Sequence, residues 1–179
     1  NRDRASKTPH LDARKRITHH SLNTTTIEIC KAPIFWQPDG MFKLQMRVAY
    51  RDGTDGNHVY HARYFDWMEM ARNEALRELG LPLIGLQRGG TLLPVVECSM
   101  RHHRPARYDD VVEILTQVSL PTRAQIQFDC QIQRDGEILA EGMTRHVATR
   151  LDGRPIRLPT ELVAAIDPRR GLVAGADEG

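Results

Sequence analysis

Cysteine is scarce in this chain: Cys30, Cys98 and Cys130 are the only three in 179 residues, widely spaced and with no Cys-x-x-Cys pair. That spacing supports neither a disulfide framework nor a zinc site, and it suits buried thiols in a reducing, cytoplasmic setting. An excess of charge of one sign is missing too. The 25 Lys and Arg oppose 23 Asp and Glu for a formal +2, too little to make nucleic acid or a membrane surface the main partner. No apolar run approaches the roughly 20 residues that cross a bilayer, and the N-terminus shows no apolar secretion segment. No motif for a metal or an organic cofactor is present, so neither is expected.

What is present is enough chain for one domain with a full hydrophobic core. Residues 1–26 are polar and without periodicity and are expected to be a flexible tail; residues 27–167 form the domain, and 168–179 a frayed C-terminal tail. Thr26–Trp36 is expected to add an edge strand before a turn at Pro38-Asp39-Gly40. Phe42, Leu44, Met46, Val48 and Tyr50 alternate with polar or small residues, which is the period of a half-buried strand. Further strands are expected over Thr91–Met100, Val111–Leu120, Ala124–Gln133 and Ile138–Leu151, with Leu81–Gly90 as a loop. Asp135-Gly136 is a hairpin signal that pairs the last two strands antiparallel. A short helix, ELVAAI, follows Pro159.

The longest helical pattern starts near Ala62. Tyr64, Met68, Ala71, Ala75 and Leu79 recur at steps of three and four, and Phe65, Trp67, Met70 and Leu76 widen that face. A helix apolar over so much of its circumference is usually buried, so strands are expected to wrap it. One strand, one helix and then antiparallel strands make an α+β domain. The loop that feeds the helix, Asp52-Gly53-Thr54-Asp55-Gly56-Asn57-His58, carries two carboxylates and two of the chain's glycines.

Asp52, Val59-Tyr60-His61-Ala62, Tyr64, Trp67, Glu69 and Ala71-Arg72 resemble, in order, the loop-and-helix motif of hotdog-fold acyl-CoA thioesterases of the 4-hydroxybenzoyl-CoA thioesterase type. Pro105 to Asp110, Asp135 to Gly142 with Thr144, His146-Val147, Gly153-Arg154-Pro155 and Leu158-Pro159 resemble the same family's later landmarks. The resemblance covers about residues 41–166. It implies a long helix wrapped by a curved sheet of five or six antiparallel strands, and an assembly (homodimer or homotetramer) whose dimer joins sheets edge to edge. It also implies active sites at the dimer interface and hydrolysis of an acyl-CoA thioester. A non-catalytic acyl-CoA sensor and an acyl-carrier-protein thioesterase are the alternatives.

The family's Asp-x-Asp is displaced here: counted back from His61, the first acid falls on Asp52 and the second on Thr54, with Asp55 one residue later. Gly53 and Gly56 can absorb that shift, so Asp55 is the favoured catalytic carboxylate and Asp52 the second choice. In a site without the acid, Asn57 or His61 would orient a water. Glu69 competes as a second acid with a plain ion pair to Arg72. Backbone N–H groups around Tyr60, His61 and Ala62, at the positive end of the helix, suit a developing oxyanion. Arg101, Arg104 and Arg107 form the densest cationic run in the domain and suit the phosphates of coenzyme A. No aromatic residues interleave with them, which argues against nucleic acid.

Overall fold

The structure, a computed structural model, describes residues 34–36 and 41–167. The expected tails, the turn at Pro38-Asp39-Gly40 and most of the segment expected as the first edge strand lie outside the described residues. Of that strand, β1 (Ile34–Trp36) is described, followed by β2 (Met41–Arg47) and a short 3-10 turn, Tyr50–Asp52. Helix α1 spans His61–Glu78 and α2 Leu83–Arg88; then come β3 (Val95–His102), β4 (Val111–Ser119), β5 (Gln125–Arg134), β6 (Glu137–Val147) and α3 (Thr160–Ile166). The strands form one six-stranded antiparallel sheet in the order β1-β2-β4-β5-β6-β3.

The sheet is wrapped around α1, as the helix's apolar stripe requires. Tyr64, Trp67, Met68, Ala71, Ala75 and Leu76 are its buried residues. Strand residues facing them alternate as read from the sequence: Ile126, Phe128, Cys130 and Ile132 of β5 are all buried, while Gln127, Asp129 and Gln131 between them are not. One core cluster gathers the first half of α1 with Leu44, Val112, Ile114 and Ile132. A second gathers Leu76 with Leu86, Ile126, Phe128, Leu158 and Leu162, so α2 and α3 close the far end. The β5–β6 hairpin turns on Asp135 (φ 51°) and Gly136 (φ 79°), both left-handed, the geometry that matches strand twist and favours Asp-Gly.

Four expectations are corrected. The stretch read as a loop, Leu81–Gly90, contains α2, anchored by buried Leu86. β3 starts at Val95 rather than Thr91, because Pro94 offers no N–H to a ladder, and it runs on to His102. β6 ends at Val147, after which the chain leaves the ladder and forms single bridges, Leu92 with Thr149 and Thr149 with Pro155. Met70, expected to widen the buried face of α1, is 42% exposed.

β3 is the strand that shapes the site. Among the described residues it pairs only with β6 and forms one edge of the sheet, with seven of its eight residues exposed. The register sets Met100 beside Gly142 and Cys130, and His102 beside Ala140 and Ile132, so Cys98, Met100 and His102 share the face of the sheet that carries α1.

Candidate functional site

The loop between β2 and α1 is a small closed hairpin. Gly53 and Val59 form an antiparallel bridge, Tyr60 N–H donates to Asp52 O at 2.9 Å, Thr54 N–H donates to His58 O at 2.9 Å, and Asn57 N–H donates to Thr54 O at 3.0 Å. Asn57 takes a left-handed backbone (φ 52°), a conformation that Asn tolerates better than most residues; its side chain is exposed. Val59 N–H reaches Ala106 O at 2.9 Å, and Ala106 N–H donates to the Tyr64 hydroxyl at 2.9 Å, which ties the loop and the first turn of α1 to the segment after β3.

The two candidate carboxylates differ sharply. Asp52 is buried, and its Oδ2 accepts the Ala49 N–H at 3.2 Å, the back-reach of a capping residue. Asp55 lies at the exposed tip of the loop, and its carboxylate meets no partner among the described residues. Glu69, expected on the apolar stripe, points outward with its side chain 62% exposed, and Arg72 Nη2 is 4.0 Å away. The buried member of that pair is Arg72, whose stronger contact is to His146 Nε2 at 3.2 Å. Burial pulls the Arg72 pKa below its ordinary value.

His146 is completely buried, and its two nitrogens are both spoken for. Nδ1 lies 2.9 Å from Leu93 O, so it must carry the proton and donate; Nε2 then accepts from Arg72 and from Thr144 Oγ1 at 3.0 Å. Burial holds its pKa down to about 4. The sequence offered His146 only as a landmark of the family pattern, and its partners lie 53 and 74 residues away along the chain.

Helix α1 begins without a capping side chain: Tyr60 occupies the N-cap and makes no side-chain bond to the first turn. Tyr60 N–H is spent on Asp52 O, which removes it from the expected oxyanion donors, and Arg63 N–H turns back to Tyr60 O at 2.9 Å. The N–H groups of His61 and Ala62 meet no acceptor among the described residues. Two orphan donors therefore stand at the positive end of an 18-residue helix.

His61 is one wall residue of a cleft of about 330 Å³ lined by His58, Val59, Tyr60, His61 and Tyr64 from the loop and helix, and by His102, His103, Arg104 and Pro105 from the end of β3. Four imidazoles face it, and no carboxylate is among the lining residues. Among the described residues no three metal-ligating groups come close enough to hold an ion. Two of the imidazoles are occupied: His58 lies 3.3 Å from Thr54 Oγ1, and His103 Nε2 lies 3.0 Å from Glu141 Oε2. The other two are not. His61 rests against the Tyr60 ring (centroids 4.3 Å apart) and His102 stands edge-on to the buried Tyr64 ring (4.7 Å, 83°), and neither makes a hydrogen bond to a described residue.

The expected phosphate patch is split. Arg101 lines a broad depression on the outer face of the sheet with Glu141 and Gln131. Arg104 lines the cleft and pairs with Glu137 at 2.5 Å. Arg107 donates its backbone N–H to Asp110 Oδ2 at 2.8 Å and is exposed.

Residues 48–166 match the model of the thioesterase-like superfamily. The chain belongs to that family. It is 32% identical over 129 residues to the acyl-CoA thioesterase YbgC of Haemophilus influenzae, covering 71% of this chain and 95% of that one. Among solved structures, TT1821 of Thermus thermophilus superposes with a TM-score of 0.67 at 30% identity over 70% of this chain and 97% of that one. Slr0204, a 1,4-dihydroxy-2-naphthoyl-CoA thioesterase from Synechocystis, does so with a TM-score of 0.67 at 23% identity over 71% and 96%, a likeness of fold. The wrapped helix and antiparallel sheet are the hotdog fold. No helix among the described residues is long and apolar enough to cross a membrane.

Proposed function

We propose that this thioesterase-family protein hydrolyses an acyl-CoA thioester to the free acid and coenzyme A, in the cleft at the N-terminus of α1. The observation that carries this reading is the unclaimed N–H donor of His61, followed in the chain by that of Ala62, in the wall of a cleft lined by two unclaimed imidazoles. Attack on a thioester carbonyl puts negative charge on its oxygen, and fixed donors at a helix N-terminus stabilise that charge without reorganising. Acyl-CoA is the substrate named for the Haemophilus influenzae relative, and the arginines near the cleft suit its phosphates.

Asp55 is the carboxylate we assign to the chemistry, as nucleophile or as base for water. Asp52 is spent on the Ala49 N–H, whereas Asp55 has no competing bond. It lies on the loop three residues before His58, the first loop residue to line the cleft, whose walls themselves carry no acid. His61 orients the acyl group or the water beside it.

The protein works as a homodimer that joins the free edges of two β3 strands. An exposed eight-residue edge with Val95 52% and Val96 53% exposed invites pairing unless something covers it. That arrangement sets the partner beside Cys98, Met100 and His102 and walls the cleft. Substituting Val95 and Val96 by Lys tests it: sedimentation should report a dimer for the unaltered chain and a monomer for the variant.

The decisive assay is thiol release from a panel of acyl-CoA esters differing in chain length and polarity. Turnover of at least one ester supports hydrolysis. Tight binding without turnover would make the protein an acyl-CoA sensor instead, and turnover confined to acyl-carrier-protein esters would move the substrate class.

A further inference from the structure

The geometry points to His102 as a further catalytic residue of the cleft, the group that accepts a hydrogen bond from the water attacking the thioester and so aims its lone pair at the carbonyl carbon. This assignment rests on thioester hydrolysis taking place in this cleft, but the argument is local to β3. The alternation of β3 turns Cys98, Met100 and His102 toward the helix side, and only His102 stands level with the first turn of α1. Its ring is fixed there by edge contact with Tyr64, which is itself pinned by the Ala106 N–H. Both it and His61 line the cleft, from opposite sides.

Of the other imidazoles lining the cleft, His103 is held by Glu141 and His58 by Thr54. His61 on α1 is also open, and we assign it to the acyl group, which leaves the water to His102. His102 is exposed and makes no bond to a described residue, so its acceptor nitrogen is open to a water or ligand in the cleft.

The charged and titratable groups around the ring favour its neutral form. They are His61 and Tyr64 from α1, His58 and Tyr60 from the loop, and His103 and Arg104 from its own strand end; its partner on β6 is the uncharged Ala140. No carboxylate is among the residues lining the cleft; Asp55, on the loop before His58, is the nearest acid in the chain to those lining residues of the loop. Its pKa is lowered by burial first, then by the proximity of His61 and His103. An imidazole that stays neutral at physiological pH keeps a lone pair free to accept, and it loses that capacity once protonated.

Two substitutions separate this role from a structural one. His102→Phe keeps the ring packed on Tyr64 and removes the acceptor; His102→Gln removes the ring and its titration but keeps an acceptor oxygen. With an acyl-CoA ester that the unaltered protein turns over, kcat of His102→Phe should fall at least tenfold with KM nearly unchanged. His102→Gln should stay within a fewfold of the unaltered rate. The unaltered enzyme should lose kcat/KM on the acid side with a midpoint below 6.5, and that limb should be absent in His102→Gln. If His102→Phe matches the unaltered rate and pH profile, or if His102→Gln is no better than His102→Phe, the assignment is wrong while hydrolysis stands. If the unaltered protein releases no thiol from any ester, the hydrolysis reading fails and the assignment falls with it.

Discussion

The fold treats two histidines that face α1 in opposite ways. His146, beside the middle of the helix, is completely buried, donates to Leu93 O and accepts from Arg72 and Thr144. His102, beside the first turn, has ring neighbours and no hydrogen bond to a described residue. Where every polar group is matched within the chain, the matching stabilises the fold, and each broken bond leaves a desolvated orphan. Where polar groups are left unmatched around a cleft, their partner is supplied by what binds there. The same contrast runs along α1 itself: its N–H groups at His61 and Ala62 are open, whereas its C-terminal end is closed by Gly80 N–H to Arg77 O at 3.0 Å and Leu81 N–H to Leu76 O at 2.9 Å.

The largest expected effect is in the loop before α1. Asp55→Asn should lower kcat by about 10³-fold, or about 4 kcal/mol of barrier, with an unchanged melting temperature. Asp52→Asn should cost far less in rate, because Asp52 is occupied by Ala49 N–H; steady-state kinetics of the two variants checks the ranking. The reverse order would make Asp52 the catalytic acid.

The matched region should show the opposite signature. His146→Leu leaves the Arg72 guanidinium and Leu93 O without their partner, so chemical denaturation should show a loss of about 3 kcal/mol in stability. Turnover measured well below the melting temperature should persist. A variant that lost activity while keeping its stability would erase the distinction between the two regions.

His146 also predicts a pH dependence. Its pKa is held down to about 4 in the folded protein against 6.5 ordinarily, so between those values the unfolded chain binds a proton that the folded chain refuses. Its contribution to stability is therefore complete above pH 6.5 and is lost as pH falls toward 4. The expected loss is roughly 3 kcal/mol, and it should be missing in His146→Leu.

Much of the scaffold was legible because its signals are local. The Asp135-Gly136 hairpin and the alternation of β5 are carried by neighbours in sequence, and the α1 stripe by residues three and four apart. α2 was missed because six residues around Gly85 are too few to show a period. Within the site, the junction of loop and helix was readable from Asp52 to Ala62, with Asp55 ranked above Asp52; what the sequence could not show is the Ala49 N–H that occupies Asp52. Glu69 was misplaced for a related reason: the stripe narrows there, and Arg72 rather than Glu69 turns inward. His102 was read only as part of a basic run, since its role depends on β3 meeting α1 through Tyr64, 38 residues earlier in the chain.

Smaller effects should mark the periphery of the cleft. Arg101→Ala with Arg104→Ala should raise KM for acyl-CoA by about tenfold with little change in kcat, since contacts remote from the reacting carbon act as uniform binding. Because Arg104 lines the cleft while Arg101 lies on the outer face of the sheet, most of that change should come with Arg104. Cys98 is exposed in the single chain, whereas burial pushes the Cys130 thiol up to about 11, so in the monomeric Val95→Lys, Val96→Lys variant a thiol reagent should label Cys98 and spare Cys130.

The central claim, that the open N–H groups of α1 stabilise the reacting carbonyl, is most directly tested at His61. It is the first helical residue, where proline is well tolerated, and Tyr60 before it is already extended at φ −63°, ψ 131°, as a residue preceding proline must be. His61→Ala and His61→Pro both lack the imidazole, but only His61→Pro lacks the N–H. Thiol release from acyl-CoA by His61→Pro should be slower than by His61→Ala by a further 10² to 10³-fold at equal melting temperature. Equal rates for the two variants would contradict the account.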